Sequence, residues 1–150
     1  MSWKDNPEYL RKGMEFERLT EGMFPSSHFE ILFQSDEKGT KVPDFYLRNK
    51  AKRYKLWVEA KYRNRQVGDK VDIYESKPDR LVVLRMFQEI VQPETVFLVL
   101  GLGGTSSSPS ELFCVPVREL DYPSPFRRSL ERWKIAPTPF ISYENGCLSQ

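Results

Sequence analysis

The chain has 150 residues, 39% hydrophobic and 13% aromatic, which supplies enough apolar surface for one core, so disorder is excluded and a single domain over 1–150 is expected. The formal net charge of +2 excludes a polybasic, histone-like polyanion binder. Two cysteines exclude a disulfide framework, and the single His28 excludes zinc sites built on several imidazoles, so any metal is held by oxygen. No apolar run approaches the roughly 18 residues that span a bilayer, and the first residues show no apolar signal region; a soluble, cytoplasmic protein is expected.

The first element opens with Asn6 as N-cap and Pro7 at the first helical position, and Tyr9, Gly13, Phe16 and Met23 recur at helical spacing until Pro25. Next, His28–Phe33, Val42–Arg48 and Tyr54–Arg63 read as strands separated by polar turns, which predicts a three-stranded meander. Gln66–Glu75 is polar and irregular. Ser76–Val91, with Pro78 early and Leu81, Leu84, Phe87, Gln88 and Val91 at three-to-four spacing, predicts a second helix that Pro93 stops. Thr95–Leu102 is a nearly continuous apolar run, as suits a strand covered on both faces. After a Gly103–Ser110 loop, Leu112–Val117 predicts another strand, Ser124–Trp133 a short helix, and Phe140–Tyr143 an edge segment. The order predicts an α/β fold of three layers, a mixed central sheet of about five strands flanked by helices.

The period of two in the third strand puts Leu56, Val58 and Ala60 on one face and Trp57, Glu59, Lys61 and Arg63 on the other. In the second strand, Asp44, Tyr46 and Arg48 share the polar side. A hairpin loop at Lys50–Arg53 pairs Asn49 with Tyr54, and counting outward sets Asp44 opposite Glu59. Opposed like charges on one sheet are destabilising, so the pair needs a cation, either Lys61 or a divalent metal.

Pro43-Asp44 followed by Glu59-Ala60-Lys61 resembles the motif of the PD-(D/E)xK nuclease superfamily, which contains restriction endonucleases, Mrr-type enzymes and archaeal Holliday-junction resolvases. The preceding helix adds Gly13-Met14-Glu15-Phe16-Glu17, similar to a Gly-x-x-Phe-Glu pattern of that superfamily. The resemblance runs from Gly13 to about Val117 and implies a restriction-endonuclease-like fold. It also implies a divalent ion, Mg2+ or Mn2+, held by Asp44, Glu59 and the backbone carbonyl of Ala60, with Glu17 orienting the attacking water or reaching a second ion. By the same resemblance, Lys61 positions that water and stabilises charge on the phosphodiester, and Gln66, Lys70 or Lys77 assists. The activity implied is DNA endonuclease, on duplex or branched DNA, by a homodimer because two cuts need two sites.

Basic residues crowd the Arg48–Arg65 stretch against one acid, Glu59; Arg48, Lys52, Arg53, Arg63 and Arg65, with Lys70 and Lys77, are the expected phosphate contacts. The competing reading is a solvated hairpin protected at its edge by lysines. Alternatives of function are a junction resolvase, a non-catalytic nucleic-acid-binding module of the same fold, and RNA as substrate. Trp57 is expected to pack under a helix rather than stack on a base, and His28 to be structural. Gly101-Leu102-Gly103-Gly104 lacks the spacing of a phosphate-binding loop and is expected to be a flexible connection.

Overall fold

Asn6 caps the first helix as its position signals: its side-chain oxygen accepts the Glu8 amide at 3.0 Å, Pro7 occupies the first turn, and α1 runs Pro7–Gly22. The structure, a computed structural model, describes residues 6–35, 42–64 and 68–150. The chain continues as β1 (Phe29–Gln34), β2 (Phe45–Asn49), β3 (Lys55–Arg63), α2 (Pro78–Val91), β4 (Thr95–Leu102) and β5 (Glu111–Pro116). A one-turn helix α3 (Arg127–Leu130) and a short 3-10 turn follow, then β6 (Lys134–Ile135) and a hairpin of β7 (Ser142–Glu144) and β8 (Cys147–Ser149).

The main sheet has six strands in the order β1-β2-β3-β4-β5-β6, one more than expected. The first three form the antiparallel meander, β3 and β4 are parallel and joined through α2, and β4-β5-β6 are antiparallel, so the sheet is mixed. β6 is only two residues long and carries no periodicity to read. The expected edge segment at Phe140–Tyr143 is instead part of a separate hairpin: Phe140 is buried against Phe24, ring centroids 5.0 Å apart, and its amide donates to the Met23 carbonyl at 2.8 Å. That bond commits Phe140 to the α1 terminus rather than to a sheet edge.

Two apolar layers sandwich the sheet. On one face Phe16 of α1 packs with Leu56, Val58, Ala60, Phe97 and Val99. On the other, Leu81 and Leu84 of α2 pack with Leu98, Leu100, Leu102, Phe113 and Val115. Strand alternation thus sends alternate residues of β4 into different cores, and every residue of β4 is buried. At Gly101, a Cβ would stand 2.4 Å from the Phe16 ring, so glycine there lets α1 approach the central strand. Gln88, at an apolar-periodic position of α2, is buried but satisfied: its amide donates to the Glu94 carbonyl and accepts from the Val96 amide, both at 2.7 Å, tying the end of α2 to the start of β4.

The loop after β4 is a connection between strands, as expected, but an internally bonded one. Gly103 donates to the Arg63 carbonyl at 2.9 Å, Thr105 and Ser108 bond each other's backbone, and the Ser106 hydroxyl donates to the Glu15 carboxylate of α1.

Candidate active site

β2 and β3 part company at Asp44. The Asn49 amide donates to the Tyr54 carbonyl at 2.8 Å and the ladder continues to Phe45 opposite Val58, which is the register the polar loop predicts. One step further Asp44 faces Glu59, but there the backbone ladder stops. The Asp44 carbonyl accepts from Ser35 of the β1 end at 2.9 Å, while the Asp44 carboxylate accepts the Ala60 amide at 2.8 Å. A side chain has replaced the backbone as the acceptor for the β3 amide.

Proline explains the rest of this fork. Continuing the register sets Pro43 opposite Ala60, and proline has no N–H to donate. In a hydrogen-bonded antiparallel pair one residue presents both its N–H and its C=O to the same neighbour. Since the Ala60 amide points at Asp44, the Ala60 carbonyl points into the same gap, where the ladder supplies no donor from position 43.

Glu59 stands on the α2 side of β3 and is 1% exposed. Burial, followed by the charge of Asp44, raises its carboxyl from the usual range to about 7, against the pull of Lys61 and Arg80. Arg80, in the first turn of α2, sends Nε (3.1 Å) and Nη2 (2.6 Å) to one Glu59 oxygen. Lys61 is half-buried on the same strand face, its Nζ 5.9 Å from the centroid of the Tyr74 ring. Tyr74 is 2% exposed, and its hydroxyl has no hydrogen-bond partner among the described residues. Burial, first, pushes that phenol well above its ordinary value, with smaller effects from the charges of Glu59, Arg80, Arg63 and Asp44.

Sequence reasoning missed Arg80 and Tyr74. A cation in the first turn of a helix opposes the helix dipole, and this was the available signal that Arg80 answers a buried anion. Tyr74 lies in an irregular segment without periodicity and offers no comparable signal.

Other expected residues divide. Glu17 is half-buried on α1, next to Phe16, whose core lies on the opposite face of the sheet from Glu59. Among the described residues no three carboxylate, thiol or imidazole groups gather into one cluster, so Asp44 and Glu59 meet as a pair without Glu17. Glu15, its neighbour, is taken up by Arg11 and Ser106.

Arg63 was expected to grip a phosphate; instead its guanidinium donates to the carbonyls of Tyr62 (2.9 Å), Asp72 (3.1 Å) and Ile73, and burial lowers its pKa. Its role is to hold the chain after β3 against the sheet. Arg48 pairs with Glu30, and Lys52 lies 3.8 Å from Glu144. These residues and Arg53 sit at the hairpin end of the strand pair, with Arg53 six residues, or roughly 20 Å of strand, before Glu59. Lys70 lies 5.4 Å over the Phe126 ring, and Lys77 is exposed just before α2. Arg65 and Gln66 lie outside the described residues. Trp57 packs as expected: it stacks on Tyr46 with centroids 3.9 Å apart, meets Phe87 of α2 edge-on, and donates from Nε1 to Glu94 at 3.0 Å. His28 offers its backbone carbonyl to Lys50 at 2.9 Å.

The donor set fits a hard divalent cation. Two carboxylates converge, one of them pushed up by burial and by the other, and a carbonyl points into the same gap.

No protein-family model and no curated protein matches the sequence. Among solved structures the chain is similar to Hjc of Archaeoglobus fulgidus, a Holliday junction resolvase from an archaeal hyperthermophile, with 19% identity and a TM-score of 0.55 over 83% of this chain and 90% of that one. The likeness is one of fold: helices on both faces of a mixed sheet, the restriction-endonuclease-like architecture.

Proposed function

We propose that the protein is a divalent-metal-dependent DNA endonuclease whose active site is the fork between β2 and β3. The observation that carries this reading is the Asp44–Glu59 pair: two converging carboxylates, with the Ala60 carbonyl aimed into the same gap and Lys61 beside it. Buried like charges are costly, and such an arrangement has a use when a cation sits between them.

Asp44, Glu59 and the Ala60 carbonyl hold the ion, Mg2+ or Mn2+ by the hardness of an all-oxygen donor set. When bound, that ion supplies activation of the attacking water and neutralisation of charge on the phosphodiester. Lys61 stands on the face that receives the phosphate and stabilises the negative charge that grows there. Glu17, which does not join the Asp44–Glu59 pair among the described residues, is left out of the proposed ligand set. Lys70 and Lys77, on the segment between β3 and α2, contact phosphates on one side of the site, and Arg48, Lys52 and Arg53, at the hairpin end of β2 and β3, serve another stretch of backbone.

Four-way DNA is the first substrate to test, because the protein of similar fold is a Holliday junction resolvase. Symmetric paired cuts need two copies of this single site, hence a homodimer. The test incubates the protein with plasmid and with junction DNA, in Mg2+ and in EDTA, beside Asp44→Asn and Lys61→Ala. Cleavage in Mg2+ alone, lost in both folded variants, supports the reading. Cleavage that persists in either, or DNA binding by the wild type with no cleavage of any substrate, overturns it.

A further inference from the structure

The Arg80–Glu59 ion pair stands where the proposed ion has to bind. Glu59 is 1% exposed, its side chain 2% and that of Arg80 16%, so the guanidinium covers the carboxylate as well as neutralising it. Two of its nitrogens converge on a single oxygen, Oε2, and Nη2 also reaches the Val42 carbonyl at 3.4 Å on the other side of the fork. Arg80 therefore spans the gap between β2 and β3, in the same space that Asp44 and the Ala60 carbonyl face.

We infer that Arg80 exchanges partners during the reaction, serving as the counterion of Glu59 in the metal-free protein and as a phosphate ligand once a divalent ion takes the carboxylate. The inference rests on the nuclease reading above and deepens it. A guanidinium and a divalent ion drawn to one buried carboxylate repel each other, so a bound ion would weaken the Arg80 contact with Glu59 and favour its release. The released group stays tethered to the first turn of α2, within reach of whatever anion lies over the site, and its planar fork suits two phosphate oxygens. Metal binding without DNA is thereby opposed, since it costs the Arg80–Glu59 ion pair. With DNA present the same arginine finds a phosphate, so metal and substrate favour each other's binding.

Mn2+ affinity, measured by calorimetry at pH 8 without DNA, tests this on wild type, Arg80→Lys, Arg80→Met and Asp44→Asn. Removing a competitor from a buried carboxylate is expected to tighten Mn2+ binding by about tenfold in Arg80→Met, a fraction of what an unpaired buried charge costs. Arg80→Lys keeps the charge but not the two converging donors, and its affinity is expected between those of wild type and Arg80→Met. Single-turnover cleavage of junction DNA at saturating Mn2+ is expected to fall by about a hundredfold in Arg80→Met, the loss typical of one charge-stabilising donor. Tighter metal binding with slower cleavage separates partner exchange from a structural role, which lowers stability without tightening the metal. Unchanged or weaker Mn2+ binding in both arginine variants overturns the inference; should Arg80→Met not fold, Arg80→Lys decides. If the wild type shows no Mn2+ site that Asp44→Asn abolishes, the nuclease reading fails and this inference with it. If that site is present and the arginine series is flat, this inference alone fails.

Discussion

The Asp44 carboxylate takes the Ala60 amide at 2.8 Å, in the place a backbone carbonyl would occupy had β2 continued beside β3. One side chain thus ends a sheet ladder and presents a ligand. Aspartate and asparagine both supply an oxygen acceptor there, whereas alanine leaves the amide without it. Asp44→Asn is therefore expected to keep wild-type stability to within about 0.5 kcal/mol while losing Mn2+ binding, and Asp44→Ala to lose about 1–3 kcal/mol as well. Urea midpoints with Mn2+ calorimetry check both; equal stability of the two variants would show that the fork does not depend on this hydrogen bond.

Glu59 makes stability fall as pH rises. Burial first and Asp44 second push its carboxyl up to about 7 in the folded chain, from about 4.5 for a free glutamate, so the folded state binds the extra proton between those values. Stability from this group is full below about 4.5 and is lost as pH climbs through about 7, by on the order of 3 kcal/mol. Unfolding free energies from pH 5 to pH 8 in EDTA are expected to show this descent in wild type and not in Glu59→Gln. Mn2+ is expected to reduce it, by favouring the ionised form. An identical pH profile in the two proteins would contradict the assignment.

Much of the fold is legible because burial writes simple periods. β4 occupies Thr95–Leu102, the run expected, since a strand covered on both faces is apolar at every position. The β2–β3 register follows from the polar loop at Lys50–Arg53, and it is this register that carries Asp44 to Glu59. What stays hidden is held by single contacts rather than by patterns. Phe140 leaves the expected edge for a pocket beside Phe24, and β6 is too short to show alternation. At the site, charge alone does not distinguish an arginine that meets solvent from one spent on carbonyls, as Arg63 is, or on a buried acid, as Arg80 is. Those outcomes depend on the path of the chain through residues 68–80, which has no period to read.

Glu94 joins the two aromatic residues of the hairpin's outer face. Its carboxylate accepts from the Tyr46 hydroxyl at 2.8 Å and from Trp57 Nε1 at 3.0 Å, and burial with this hydrogen bond pushes the Tyr46 phenol up to about 12. Glutamine offers only one acceptor oxygen to these two donors, so one is left facing an amide nitrogen. Glu94→Gln is expected to cost about 1–2 kcal/mol in urea unfolding while leaving DNA cleavage unchanged, because Trp57 is engaged by Tyr46 and Phe87 and is not a base-stacking platform. A cleavage defect in a stable Glu94→Gln protein would return Trp57 to the list of DNA contacts.

Tyr74 carries a stability cost that function can explain. A buried hydroxyl without a partner among the described residues has given up its water and gained no bond there, a penalty of about 1–3 kcal/mol, whereas phenylalanine fills the same volume without it. A residue serving only the core gains from losing that oxygen, so Tyr74→Phe is expected to be more stable than wild type by about 1 kcal/mol or more. Its ring lies 5.9 Å from Lys61 Nζ, however, and the hydroxyl is expected to donate to an oxygen brought in with the ion or the phosphate. The same variant is expected to cleave DNA roughly tenfold more slowly, the equivalent of one hydrogen bond formed in the transition state. Gain in the urea midpoint and loss in single-turnover rate must occur together. A stabilised variant with unimpaired cleavage would make Tyr74 a packing residue, and a destabilised one would mean that the hydroxyl already has a partner in the resting protein.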